Sequence, residues 1–323
     1  MSHPPSRLGE LLQRGEFVVT AELSAIDSPD PAVTIARASR LRAHADAINC
    51  TDNTGAHVHL SPLAAAHLLA EAGIEPIMQL TTRDRNRLGL QADLLGAAAL
   101  GVRNVIMMSG DDVSAGDHPE ARSIYDIDSI QLVQIARTMR DRGIYLSGRK
   151  LDAPPSFFIG AVENPFAPPI AFRPARLQKK VEAGAEFIQT QLVFNLRGLA
   201  DFMARVRDLG LLERVAIIPS VAVPRSARGA RFMREKVPGV FVPESIVRRI
   251  EGVPTERQAQ EGIRIAVELV SGLREIPGVR GVHVIAIRWD EGVLAVVEEA
   301  GLLPRPAAGP GPGVRVAALP EGA

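Results

Sequence analysis

The chain has 323 residues in which 37 Lys and Arg balance 37 Asp and Glu, so no net charge draws it to nucleic acid or an anionic lipid surface. Hydrophobic residues make up 46% and aromatics only 4%, a core of Ala, Val, Leu and Ile that suits one α/β barrel of roughly 250 residues with extensions. The single cysteine, Cys50, excludes an intramolecular disulfide, and its apolar setting reads as a buried small hydrophobe. Residues 1–14 lack the apolar stretch of a signal peptide, and no apolar run approaches the roughly 18 residues of a membrane span. The expectation is a cytoplasmic protein with no membrane and no nucleic-acid partner.

Strand-like and helix-like segments alternate from residue 17 onward. Apolar runs at 17–23, 47–51, 76–82, 104–111, 157–163, 187–193, 215–221 and 282–287 predict buried parallel strands. Helical patterns lie between them, at 31–45 after Asp30 as a cap, at 62–72 after Ser61, and at 85–100, 127–142, 173–183, 199–209 and 227–236. Two more, at 244–251 and 255–276, precede the last strand. About eight βαβ units close a (β/α)8 TIM barrel, here with extra helices before and after the last strand. No GxGxxG follows the first strand, which disfavours a dinucleotide-binding doubly wound sheet. The barrel is expected to occupy residues 1–302, and 303–323, rich in Pro, Gly and Ala, a disordered tail.

Several strands end in polar residues, and in a barrel those ends converge on one face. Phe17–Glu22 reads FVVTAE, and the runs ending at Thr82, Asp111 and Gln191 deliver a hydroxyl, a carboxylate and an amide to the same rim. That arrangement belongs to an enzyme site. The seven histidines show no HExxH spacing, so no catalytic metal is expected.

AEL at 21–23, QLTTRDRN at 79–86, SGD at 109–111, SIYDIDS at 123–129, LQKKVEAGA at 177–185 and QTQLVF at 189–194 occur in that order. This ordered set resembles the methylenetetrahydrofolate reductase family, flavoproteins on an (α/β)8 barrel. TTRDRN and YDIDS are similar to the branch sometimes fused to a homocysteine methyltransferase. The resemblance implies FAD-dependent reduction of 5,10-methylenetetrahydrofolate to 5-methyltetrahydrofolate, within one-carbon metabolism and methionine biosynthesis. It implies Glu22 as the acid that opens the methylene bridge to a 5-iminium, and Asp111 as the negative charge beside flavin and pterin. A carboxylic acid does that work best when burial lifts its pKa toward neutrality.

By the same resemblance Gln191 contacts the folate, and Thr51 lies near nicotinamide and flavin. Gln79, Ser109, Gly110, Tyr125, Asp126, Asn164 and Lys180 complete the flavin's expected contacts. Gln79 stands where relatives often have histidine, Ser109 where many have arginine, and Asn164 where some have tyrosine. Arg83, Asp84, Arg85 and Asn86 suit the ribityl or pyrophosphate region, or else an internal ion-pair network. Relatives that stack a folded nicotinamide use a phenylalanine after the seventh strand, but SVAVPRSARG at 220–229 has no aromatic. The electron donor is therefore NAD(P)H or another reductant, and a homo-oligomer or an electron-donor partner protein is possible. The alternative functions are a flavin-free folate-binding one-carbon transferase, or a non-catalytic flavin or folate subunit of a larger complex.

Overall fold

Each apolar run becomes a strand covered on both faces, the condition for an all-parallel sheet. In the computed structural model, which describes residues 6–307, the strands are β1 (Val18–Glu22), β2 (Ala47–Cys50), β3 (Pro76–Thr81), β4 (Asn104–Met108), β5 (Phe158–Glu163), β6 (Phe187–Leu192), β7 (Ala216–Ala222) and β8 (Gly281–Ile285). They close in sequential order, every neighbouring pair parallel, with β8 returning to β1. The fold is the expected (β/α)8 barrel.

Helix α1 (Arg7–Gln13) precedes the barrel. Around it run α2 (Pro31–Leu41), α3 (Pro62–Glu71), α4 (Arg87–Ala99), α5 (Ser129–Arg142), α6 (Arg173–Ala183), α7 (Leu196–Asp208), α8 (Ala227–Lys236), α9 (Glu244–Glu251), α10 (Gln258–Arg274) and α11 (Asp290–Glu299). Three helices, α8, α9 and α10, lie between β7 and β8 where one βα unit needs a single helix, and α11 follows the last strand. Side-chain caps set the starts. Asn86 Oδ1 accepts from Leu88 N and Gly89 N, so α4 begins at Arg87 rather than 85. Asp128 and Gln131 form a reciprocal capping box, so α5 begins at Ser129 rather than 127. Among the described residues no helix is long and apolar enough to cross a membrane.

The barrel floor is sealed by α1, which has no counterpart among the predicted elements because seven residues show too little periodicity. Its Leu8, Leu11 and Leu12 pack against Val18, Ala47, Ile77, Ile106, Phe187 and Ile218. The rings of Phe158 and Phe187 stack there at 5.1 Å, and a Cβ on Gly160 would lie 2.3 Å from the Phe187 ring. Only glycine leaves room for that floor.

A polar layer lies one step higher. Asn49 Nδ2 donates to Gln189 Oε1 at 2.7 Å, Gln189 Nε2 donates to Thr20 Oγ1 at 3.1 Å, and Thr20 Oγ1 meets His283 Nδ1 at 2.9 Å. Burial pulls the His283 pKa down to about 3, so the ring is neutral. Side chains two apart on a strand share a face, so the residues above this layer, Glu22, Thr51 and Gln191, stand at the barrel mouth.

The opposite end is tied shut by Asp46, whose side chain is fully buried. Asp46 Oδ2 accepts from Val19 N at 2.8 Å and from Arg305 Nη2 at 2.6 Å, while Arg7 Nη2 reaches Oδ1 at 3.3 Å. Residues 303–307, which the composition assigns to a disordered tail, thus lie against the barrel. The rest of that stretch, 308–323, lies outside the described residues.

Candidate active site

Glu22 is the last residue of β1 and lies on the barrel's inner face. Burial pushes its carboxyl up to about 7; a hydrogen bond with Gln79 opposes the shift and the neighbouring charge of Asp111 adds to it. Gln79 sits on β3 and is buried. Gln79 is therefore a neighbour of the acid. Thr51 follows β2 and is also buried, beside Asp52, whose Oδ2 accepts from Thr81 N at 2.7 Å and Thr81 Oγ1 at 3.0 Å and is paired with Arg85.

The fourth strand ends earlier than expected, at Met108 rather than 111, because Gly110 turns the chain at φ +87°. A Cβ on Gly110 would meet Thr81 Cβ at 3.1 Å and Arg83 Cβ at 3.2 Å, so the residue is both turned and closely packed. Asp111 is delivered by this turn. Its Oδ2 accepts from Gly55 N at 3.0 Å, and its carbonyl accepts from Arg83 Nη1 at 3.0 Å. Glu22, Gln79, Ser109, Gly110, Asp111 and Thr51 come from four neighbouring strand ends and form one side of the mouth.

Gln191 and Asn164 form the other side and are bound by an element that no sequence pattern links to them. The α8–α9 link crosses above β5 and β6. Gln191 Nε2 donates to the Pro238 carbonyl at 3.3 Å, and Asn164 Nδ2 donates to the Gly239 carbonyl at 2.9 Å. Val240 and Val242 on this strap are buried and anchor it. The only sequence signal was the Pro-Gly pair between two helical patterns.

Three expected contacts stand differently. Lys180 is not available to a cofactor phosphate: its side chain is 2% exposed, and Nζ donates to Glu163 Oε2 at 2.7 Å and to the Val162 carbonyl. Glu163 alternates with the inward Val162 and so faces α6, outside the barrel. Burial lowers the Lys180 pKa to about 8 against the opposing effect of Glu163. Asp126 grips Arg87 at the start of α4, with Arg87 Nε at 2.7 Å and Nη2 at 2.9 Å, which holds its pKa down at about 2. Tyr125 is 44% exposed in the long β4–α5 loop. Both Asp126 and its loop border a cavity of about 700 Å³ lined also by Asn86, Arg87, Leu88, Arg122, Ser123 and Ile124.

In the 220–229 stretch, Ala227 is 4% exposed at the start of α8 and its amide donates to Gln258 Oε1. No aromatic ring is supplied from there. Phe232, on α8, is 55% exposed.

The family described as methylenetetrahydrofolate reductase matches residues 7–301. Among curated relatives, methylenetetrahydrofolate reductase 2 of Schizosaccharomyces pombe is 24% identical over 265 residues, 77% of this chain and 39% of that protein. A Caenorhabditis elegans protein named probable methylenetetrahydrofolate reductase (NADPH) is 21% identical over 243 residues, 74% of this chain and 34% of its own length. The chain thus spans about two fifths of the length of the first relative and less of the second. Among solved structures, an uncharacterized protein from Clostridium thermocellum that binds two copies of 5-methyl-5,6,7,8-tetrahydrofolic acid superposes with a TM-score of 0.63 at 13% identity, covering 91% of this chain and 98% of that one. DmoA from Hyphomicrobium sulfonivorans gives a TM-score of 0.54 at 10% identity over 88% of this chain and 86% of its own. At these identities the structural likeness is one of fold.

Proposed function

The chain belongs to the methylenetetrahydrofolate reductase family, and from that premise we propose that it reduces 5,10-methylenetetrahydrofolate to 5-methyltetrahydrofolate with FAD, drawing electrons from NAD(P)H or another reductant. The observation that carries this reading is Glu22. Burial brings its carboxyl to about 7, so at neutral pH the acid form is well populated inside the mouth. A group poised there can give its proton to the bridge nitrogen of the folate. The C–N bond then breaks, and the methylene carbon is left as a cationic iminium on the other nitrogen.

Asp111 supports that step electrostatically. Its carboxylate, fixed by the Gly55 amide, places negative charge where the cation develops, and it needs no reorganisation to do so. Gln191 offers an amide donor and acceptor to the pterin's mixed polar edge once the strap carbonyl is displaced. Glu22, Asp111 and Gln191 stand at three strand ends of one barrel mouth, so proton donor, charge and binding amide share one face of the barrel.

The residues present fit a flavin by their donor chemistry at its ring. Thr51, Gln79, Ser109 and Asn164 are uncharged donors and acceptors, and Gly110 brings main chain close. When bound, FAD supplies the hydride chemistry that side chains lack. Lys180, Arg83, Arg85 and Arg87 are each held by carboxylates, which argues against their serving the phosphate end. In the cavity beside α4, with Tyr125 and Asp126 on its loop, Arg122 is the cation left for it; no side-chain bond engages it among the described residues. The test is purification followed by an absorption spectrum and turnover. A bound flavin absorbing near roughly 450 nm and reduction of methylenetetrahydrofolate by the isolated chain support the reading. A colourless protein that still transfers one-carbon units, or a coloured one without turnover, contradicts it.

A further inference from the structure

Every side chain of the charged run Arg83-Asp84-Arg85-Asn86 is engaged by the protein's own groups, and Arg83 alone of the four is buried. Asn86 caps α4, Arg85 pairs with Asp52 and with Asp93 at 3.0 Å, and Arg83 is the centre of the set. The Arg83 side chain is 2% exposed. Its Nε and Nη2 grip Asp84 Oδ1 at 2.6 Å and Oδ2 at 2.7 Å. The other edge of the guanidinium donates to the Asp111 carbonyl at 3.0 Å and to the Asn53 carbonyl at 3.2 Å. The Arg83 carbonyl in turn accepts from Ile124 N at 2.7 Å. One side chain therefore joins the ends of β2, β3 and β4, and its main chain fastens the long loop that follows β4.

We propose that Arg83 is the positioning residue for Asp111, holding the strand ends so that the Gly55 amide meets the Asp111 carboxylate beside Glu22. The proposal rests on the reading of Asp111 given above. A planar fork with five donors can hold a carboxylate on one edge and two carbonyls on the other; a lysine ammonium cannot reproduce that spread. Stability alone does not account for the arrangement, because a buried ion pair is often no better than apolar side chains of the same volume. Both carbonyl contacts go to the loops that carry Gly55 and Asp111, and none goes to the helix that the run precedes. Arg83 touches no reacting atom in this account, and it acts through Asp111.

The experiment compares Arg83→Lys, Asp84→Asn, Asp111→Asn and the double variant Arg83→Lys/Asp111→Asn. Three readouts are taken: thermal unfolding, hydrogen exchange at the Gly55 amide without ligand, and steady-state folate reduction. Arg83→Lys should remove most of the Gly55 protection and lower kcat roughly 10- to 100-fold, the scale that a displacement of about 1 Å costs, with KM changed by less than about 3-fold. In the Asp111→Asn background the same change should lower kcat by less than about 2-fold, because residues acting as a unit are not additive. If Arg83→Lys does not fold, Asp84→Asn carries the same expectation at about 3- to 10-fold, since it loosens the fork without removing it. An unchanged kcat with Gly55 still protected, or independent effects that multiply in the double variant, overturns the proposal. Absence of folate turnover in the unmodified protein defeats the proposed function instead, and Gly55 exchange then decides whether Arg83 anchors the loop.

Discussion

With its carboxyl near pH 7, Glu22 ties activity and stability to pH in a defined way. The acid form is lost as pH rises through about 7, so folate reduction should decline above that point. Its folded value lies above the ordinary 4.5, so the associated stability is full below about 4.5 and lost as pH rises to about 7. Glu22→Gln should flatten that loss, as denaturant titrations at pH 5 and pH 8 can check, while lowering folate turnover roughly 100-fold or more. Asp111→Asn should slow the folate half-reaction and shift the flavin midpoint potential upward, because it removes a negative charge beside both. An unmoved potential with normal folate kinetics would place Asp111 outside the site. Glu22 and Gln191 were readable in the sequence because polar residues that end apolar strands gather at the barrel rim, whereas Thr51 was marked only by the family resemblance. Lys180 was not, because a lysine at the seam of an apolar helix face meets either solvent or a buried carboxylate, and Glu163 comes from another element. Gln79 was marked by the family resemblance but not with its partner, since only three-dimensional closure brings it near Glu22.

At the scale of elements, the strands and the outer helices followed from apolar periodicity and caps, and their errors were confined to ends. Two elements escaped. Helix α1 is too short for a periodic signal, and the α8–α9 strap is a loop whose role depends on which strand ends lie beneath it. Gly239 holds the strap at φ +72°, and a Cβ there would come 2.7 Å from Asn164 Nδ2. Gly239→Ala should therefore destabilise the protein by about 1 kcal/mol or more through strain at that left-handed position. It should also free the amides of Asn164 and Gln191 from the Gly239 and Pro238 carbonyls, so folate should bind at least as tightly as before. Thermal unfolding and folate titration of the same variant check both halves, and a weaker folate affinity at unchanged stability would contradict the account.

For the whole molecule, closure depends on charge buried at the end opposite the site. Asp46 has no exposed side-chain surface and Arg305 only 8%, so Arg305→Ala leaves a buried carboxylate short of its closest cation. A loss of about 3 kcal/mol in denaturant unfolding is expected. Acid acts through the barrel's interior as well. His283 is lowered from 6.5 to about 3, so its contribution is present above about pH 6.5 and is lost as pH falls toward 3. The missing aromatic in 220–229 bears on the reductant, since a lost stack of roughly 0.5–1.5 kcal/mol weakens nicotinamide binding about 2- to 13-fold. Stopped-flow reduction across NADH concentrations reads that directly, and saturation in the low micromolar range would mean that another residue supplies the stack. Ala227 is too buried to receive a phenylalanine without overpacking, so the reductant question belongs to the unmodified chain. The central claim, that Glu22 is the proton donor in a folate-reducing flavin barrel, is tested by reoxidation. The protein is reduced anaerobically and mixed with methylenetetrahydrofolate from pH 6 to pH 9, unmodified and as Glu22→Gln. The account predicts a rate that falls as pH rises past about 7 in the unmodified protein, and one roughly 100-fold lower in the variant. Equal rates in the two proteins would contradict it.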